Sequence, residues 1–197
     1  MLKSVVMSAA LVGASLVASG CAPRISPVDF EKGVAAQGAA SSWNLAGVEI
    51  EISESMRVNN NGNIRVPPDS ELVWWGDPPG DRKEQVRALL GDAVNAGALD
   101  ALTGSQPVIF KLKVNQFHAL TPLARSTSLQ LGVHSLNFDF EVVDASSGET
   151  LASETGVNAD LRAFSGTQAV LAEQAGQGQK IRIQTRVAQV VRSWLNS

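Results

Sequence analysis

Phe110-Lys111-Leu112-Lys113-Val114-Asn115 and Leu136-Asn137-Phe138-Asp139-Phe140-Glu141-Val142 are the two runs on which the fold turns. In each, apolar and polar residues alternate, the period of a strand with one buried and one solvated face. An antiparallel pairing that sets Phe110 against Val142, Leu112 against Phe140 and Val114 against Phe138 makes an unbroken apolar face. The same register sets Lys111 against Glu141 and Lys113 against Asp139, opposite charges directly across. Both faces select one alignment. Continued outward, it brings His118 opposite His134, the only two histidines in the chain.

Flanking segments supply the remaining elements. Upstream, Val48, Ile50 and Ile52 alternate with Glu49, Glu51 and Ser53, which predicts another half-wet strand. Asn59-Asn60-Asn61-Gly62-Asn63 reads as a turn, and Leu72 to Trp75 as a short strand. Asp81-Arg82-Lys83-Glu84 has the form of a capping box. It opens a helix whose stripe is Val86, Leu89, Leu90, Ala93 and Val94, with Gly97 as its expected stop. Downstream, Asp144 to Glu149 forms a hairpin turn into a strand at Thr150 to Val157. A closing helix runs from about Gln179 with Ile183, Val187, Val190, Val191, Trp194 and Leu195 on one stripe. This order predicts an α+β fold, a two-layer sandwich with a mainly antiparallel sheet and two helices on one face.

The amino terminus is of another kind. Met1-Leu2-Lys3 is a short positive start, Ser4 to Val17 is apolar or small, and Ala18-Ser19-Gly20-Cys21 follows. This is the pattern of an export signal, too short for a comfortable membrane span. The chain's single cysteine falls directly after the small residues. Cys21 is therefore the expected lipid-attachment residue, with cleavage between Gly20 and Cys21, although Ala18 stands where such signals usually carry Leu. Ordinary cleavage after Gly20 is the alternative, and it would leave an exposed thiol. Ala22, by resemblance to enterobacterial lipoproteins, implies the outer membrane rather than the inner one. The expected organisation is a signal peptide at 1–20, a lipidated cysteine and flexible tether at 21–42, and one domain at 43–197.

Composition bounds the chemistry. Of 197 residues, 44% are hydrophobic and 18% charged, with 16 Lys+Arg against 19 Asp+Glu. A net charge of −3 excludes a nucleic-acid binder that works through charge alone. One cysteine excludes an internal disulfide and a Cys-rich zinc site.

Three groups of residues are candidates for a role. Trp74-Trp75-Gly76-Asp77-Pro78-Pro79-Gly80-Asp81-Arg82 offers Trp74, Trp75, Asp77 and Arg82 as an interaction surface, or else as a rigid strand-to-helix corner. The polar pair His118 and His134 supplies two metal-type ligands without a third, so no metal site is assigned. Lys180, Arg182, Arg186 and Arg192 read as the solvated face of the last helix. No nucleophile elbow, phosphate loop, dinucleotide fingerprint or zinc motif is present, so no catalytic residue and no cofactor is assigned. A hydrolase or metal site near His118 and His134 is the enzymatic alternative. The long connections Thr121 to Leu131 and Asn158 to Gln179 are where a partner is most easily recognised.

Several strings together resemble an uncharacterised lipoprotein family of alphaproteobacteria, one known only as a domain of unknown function. They are Trp75-Gly76-Asp77-Pro78 with Gly80-Asp81-Arg82 and Gln85-Val86, Phe117-His118-Ala119-Leu120-Thr121 with Ala124-Arg125, Gly132-Val133-His134-Ser135, Asn158-Ala159-Asp160-Leu161 and Ala188-Gln189-Val190. Where the family pattern has Arg before Gly-Asp-Pro, this chain has Trp75. The resemblance implies an exported, lipid-anchored protein and supplies no activity. The expectation is a non-enzymatic accessory module, membrane-bound through Cys21 and facing the periplasm with an envelope protein as partner. Binding of a lipid or small apolar ligand is the alternative.

Overall fold

The register argued from alternation is the one adopted by the two central strands. In the computed structural model, which describes residues 30, 39–63, 67, 69–127 and 132–197, strand β3 (Gln106–His118) pairs antiparallel with β4 (Val133–Asp144). Phe110 faces Val142, Leu112 faces Phe140 and Val114 faces Phe138. Lys113 lies 4.0 Å from Asp139 on the wet face, whereas Lys111 reaches Glu49 of the neighbouring strand at 3.6 Å.

Strand β1 (Trp43–Glu51) runs parallel to β3, and helix α1 (Arg82–Ala98) lies between them in the chain. A parallel pair needs such a crossover, whereas the hairpin through Gly148 lets β5 (Thr150–Asn158) pair antiparallel with β4. The sheet order is β1-β3-β4-β5. Short β2 (Leu72–Val73) also pairs with β3, beyond the reach of β1, and β6 (Leu161–Arg162) pairs with β4. The architecture is α+β with a mixed six-stranded sheet.

Helices α1 and α4 (Gln179–Leu195) cover the apolar face, and Trp194 of α4 meets Phe110 and Phe140 at centroid distances of 5.8 and 5.4 Å. Asp81 caps α1 by accepting from the Lys83 and Glu84 amides. The Glu84 side chain turns away to pair with Arg87, so only half of the expected capping box forms. Gly97 is not a stop: α1 continues to Ala98, and Gly97 instead permits close approach of α4.

Both long connections contain a helix. Helix α2 (Pro122–Ser126) follows β3, and α3 (Gly166–Gln174) precedes α4. The two meet through an ion pair between Arg125 and Glu173. The expected export signal, the expected Gly20–Cys21 cleavage junction and most of the expected tether at 21–42 lie outside the described residues.

Candidate functional site

One register shift separates the two histidines. The pairing passes from Val114↔Phe138 to Gln116↔Asn137, leaving Asn115 as an extra residue on β3. Asn115 anchors this bulge by donating to Asn137 Oδ1 at 3.1 Å and Asp139 Oδ1 at 2.7 Å. Beyond it His118 faces Ser135, not His134. Since a one-residue slip reverses the face, the expected cross-strand pair does not form. His118 lies on the wet face, its Nε2 2.8 Å from the Ser70 carbonyl. His134 shares the core phase of Leu136 and Phe138 and is 1% exposed.

The tryptophan string forms an inter-element corner. Trp74 is fully buried against Phe117, and its indole nitrogen donates to Asp77 Oδ2 at 2.8 Å. Gly76 is required beside it, because a Cβ there would stand 2.2 Å from the Trp74 ring. Lys180 of α4 donates to the second Asp77 oxygen at 2.6 Å. Burial opposes ionisation of Asp77, but the Lys180 and Trp74 hydrogen bonds outweigh it and hold the carboxyl below its ordinary range. Arg82 is 7% exposed, lies 4.8 Å from the centroid of the Trp75 ring, and donates to the Asp77 and Pro78 carbonyls. Of Trp74, Trp75, Asp77 and Arg82, then, Trp74 and Arg82 are buried and the other two are half-buried.

A second polar cluster surrounds His134. Its ring borders a cavity of about 10 Å³, the scale of one water molecule, together with Arg125, Phe164, Ala169, Gln179 and Arg182. Both ring nitrogens of His134 and both amide atoms of Gln179 are buried without a hydrogen-bond partner among the described residues. Such groups are costly unless something satisfies them. Burial first, then the Arg182 and Arg125 charges, push the His134 pKa down to about 3, so the ring is neutral at ordinary pH. Arg182 lies 3.5 Å from the Phe164 ring centroid and donates to the Arg162 carbonyl at 2.6 Å. Gly178 starts α4 without a side-chain cap. The basic residues of α4 are therefore not simply solvated: Lys180 and Arg182 are committed as described, and Arg192 reaches Asp100 at 3.3 Å.

Over residues 43–197 the chain matches DUF6778, a family of unknown function. The chain belongs to this family. The matched span starts at Trp43, the first residue of β1. No curated protein matches the chain. Among solved structures, it is similar to a DUF330 protein of Xanthomonas campestris, at 15% identity over 79% of this chain and 84% of that one, with a TM-score of 0.45. It is also similar to a candidate lipoprotein of Caulobacter crescentus, at 19% identity over 55% and 81%, TM-score 0.34. The PelC dodecamer of Paraburkholderia phytofirmans gives 13% identity over 80% and 91%, TM-score 0.37.

Sequence reasoning missed Gln179, Arg125 and Phe164 as companions of His134. A usable signal existed: His134 falls in phase with Leu136, Phe138 and Phe140, where a polar ring must be buried.

Proposed function

We propose that this protein is a lipid-anchored envelope component, attached at Cys21 to the outer membrane and facing the periplasm. Its domain acts as a non-enzymatic binding module of an assembly or transport complex. The observation that carries the reading is the position of the single cysteine, directly behind Ala18-Ser19-Gly20 and ahead of an Ala-, Gly- and Pro-containing stretch that ends where β1 begins. Among the described residues no helix is long and apolar enough to cross a membrane. Acyl chains on Cys21 would supply the attachment.

The α2–α3 end of the domain supports a contact with an envelope protein. Leu123 is 46% exposed there, and Val170 and Leu171 of α3 are 53% and 59% exposed. In-cell photo-crosslinking followed by pull-down tests the reading. Wild-type protein is expected in the membrane fraction with a crosslinked partner. Cys21→Ala is expected to lose the membrane, and Leu123→Asp with Val170→Asp to lose the partner while staying folded. Membrane retention by Cys21→Ala sinks the anchor, and unchanged crosslinking by the double variant sinks the surface.

A further inference from the structure

We infer that the pocket at the start of α4 binds the carboxylate of a small amphipathic ligand, seated against His134, Gln179 and Arg182. The inference goes beyond the partner reading and sharpens the ligand-binding alternative to one headgroup chemistry.

Four observations converge on this pocket. First, His134 and Gln179, 1% and 7% exposed, present four polar side-chain atoms with no partner among the described residues. Second, the charge is one-sided. Arg125 and Arg182 border the cavity, no acidic side chain lines it among the described residues, and the neighbouring Glu173 already pairs with Arg125. A cationic ligand is repelled there, and a carboxylate can replace the Glu173 carboxylate in kind. Third, the uncapped first turn of α4 adds N–H groups and the positive end of its dipole. Fourth, Arg125 and Ala169 also line an open groove of about 690 Å³ between α2 and α3, along with Pro122, Thr167 and Val170.

Size decides which anion fits. An inner cavity of about 10 Å³ has the volume of one water, too small for the four oxygens of a phosphate or sulfate. A carboxylate also exceeds one water, so it seats one oxygen in the cavity. It keeps its carbon and second oxygen in the space opened where Arg125 parts from Glu173, a planar fit that a tetrahedral anion does not match. Neutral His134 then donates one ring N–H and Gln179 its amide N–H, while the guanidinium groups supply charge. The apolar tail follows the outer groove past Pro122 and Val170. The Arg125–Glu173 pair is thus the gate of the pocket.

Calorimetry on the lipidated chain, purified from membranes in a non-ionic detergent, tests this with hexanoate as probe and hexanol, hexylamine and inorganic sulfate as controls. Hexanoate is expected to bind one to one and the three controls not to bind. Gln179→Leu and Arg182→Met should each weaken hexanoate by about tenfold. Arg125→Gln, at a half-buried surface position, gives the same answer should the buried Gln179 variant fail to fold. The His134 ring nitrogen resonances should shift with hexanoate and not with sulfate. Absence of hexanoate binding, equal affinity for sulfate, or unchanged affinity in the Arg125→Gln protein overturns the site. No partner protein enters this measurement, so its outcome is separate from that of the crosslinking experiment.

Discussion

Gly97 of α1 lies so close to Ala188 of α4 that a Cβ on it would stand 2.6 Å from the Ala188 carbonyl oxygen. The Val191 Cβ would be 3.0 Å away, so neither helix can accept the methyl without moving. A Cβ on Gly91, earlier on the same helix, would meet nothing within 4 Å. The pair separates packing from helix propensity. Alanine is favoured over glycine in a helix interior by about 1 kcal/mol. Gly91→Ala should therefore raise stability by about 0.5–1 kcal/mol. Gly97→Ala should lower it by about 1–3 kcal/mol, because the overpacking cost exceeds the propensity gain. Urea denaturation of both variants decides this, and a stabilising Gly97→Ala would refute the close approach.

The two tryptophans of the corner should behave differently. Trp74→Ala removes a fully buried ring and leaves Asp77 without its indole donor, a loss expected to cost about 3–5 kcal/mol. Trp75 is half-buried under Arg82, so Trp75→Ala should cost about 1 kcal/mol. Partner capture should survive Trp75→Ala, since the α2–α3 end is the surface assigned to contact. Loss of capture in a fully folded Trp75→Ala protein would move the contact to this corner.

Asp77 and Lys180 should couple measurably. Because the folded-state pKa of Asp77 is lowered, its stabilisation is complete above the unfolded value near 3.8. It is lost as pH falls through the lower folded value. Lys180 is 41% exposed, so a double-mutant cycle of Asp77→Asn with Lys180→Met should give a coupling of about 0.5–1 kcal/mol at pH 7. That coupling should fade as pH falls through the folded value, and persistence in full acid would show that the pair is not the source.

The residues that revealed the fold are those whose pattern is redundant. Phe110 to Val114 and Leu136 to Val142 specify one register twice, by apolar contact on one face and by charge on the other. Asn115 carries no such signal, because a polar residue at a strand position reads the same whether it is paired or bulged. The slip it causes separated His118 from His134. Likewise Val48, Ile50 and Ile52 showed a strand but not its direction. The parallel pairing of β1 with β3 depends on where α1 returns the chain, a tertiary matter. Helix α3 is rich in small residues and buries only Ala169, so its periodicity is faint. The corner was legible in both of its readings, and only packing distinguishes the buried Trp74 from Trp75.

His134 should make this domain acid-sensitive in a definite window. Its pKa lies near 3 in the folded chain against an ordinary 6.5, so between these values the unfolded chain binds more protons. Stability contributed by the neutral ring is complete above pH 6.5 and falls as pH drops from there towards 3. The limiting slope is about 1.4 kcal/mol per pH unit. The charged groups facing it, Arg125 and Arg182, act in the same direction, since each opposes a second cation. His134→Leu removes the titration and replaces two unpartnered nitrogens with an apolar side chain of similar length in a core position. The variant should match or exceed wild type at neutral pH. Between about pH 6 and 4 it should keep a stability that wild type loses, by a margin on the order of a few kcal/mol. Urea midpoints measured across this range provide the check. Parallel pH profiles for the two proteins would mean that the ring is protonated as readily in the folded chain as in the unfolded one. The same variant should not bind hexanoate, so stability at low pH and loss of the ligand should appear together in one protein.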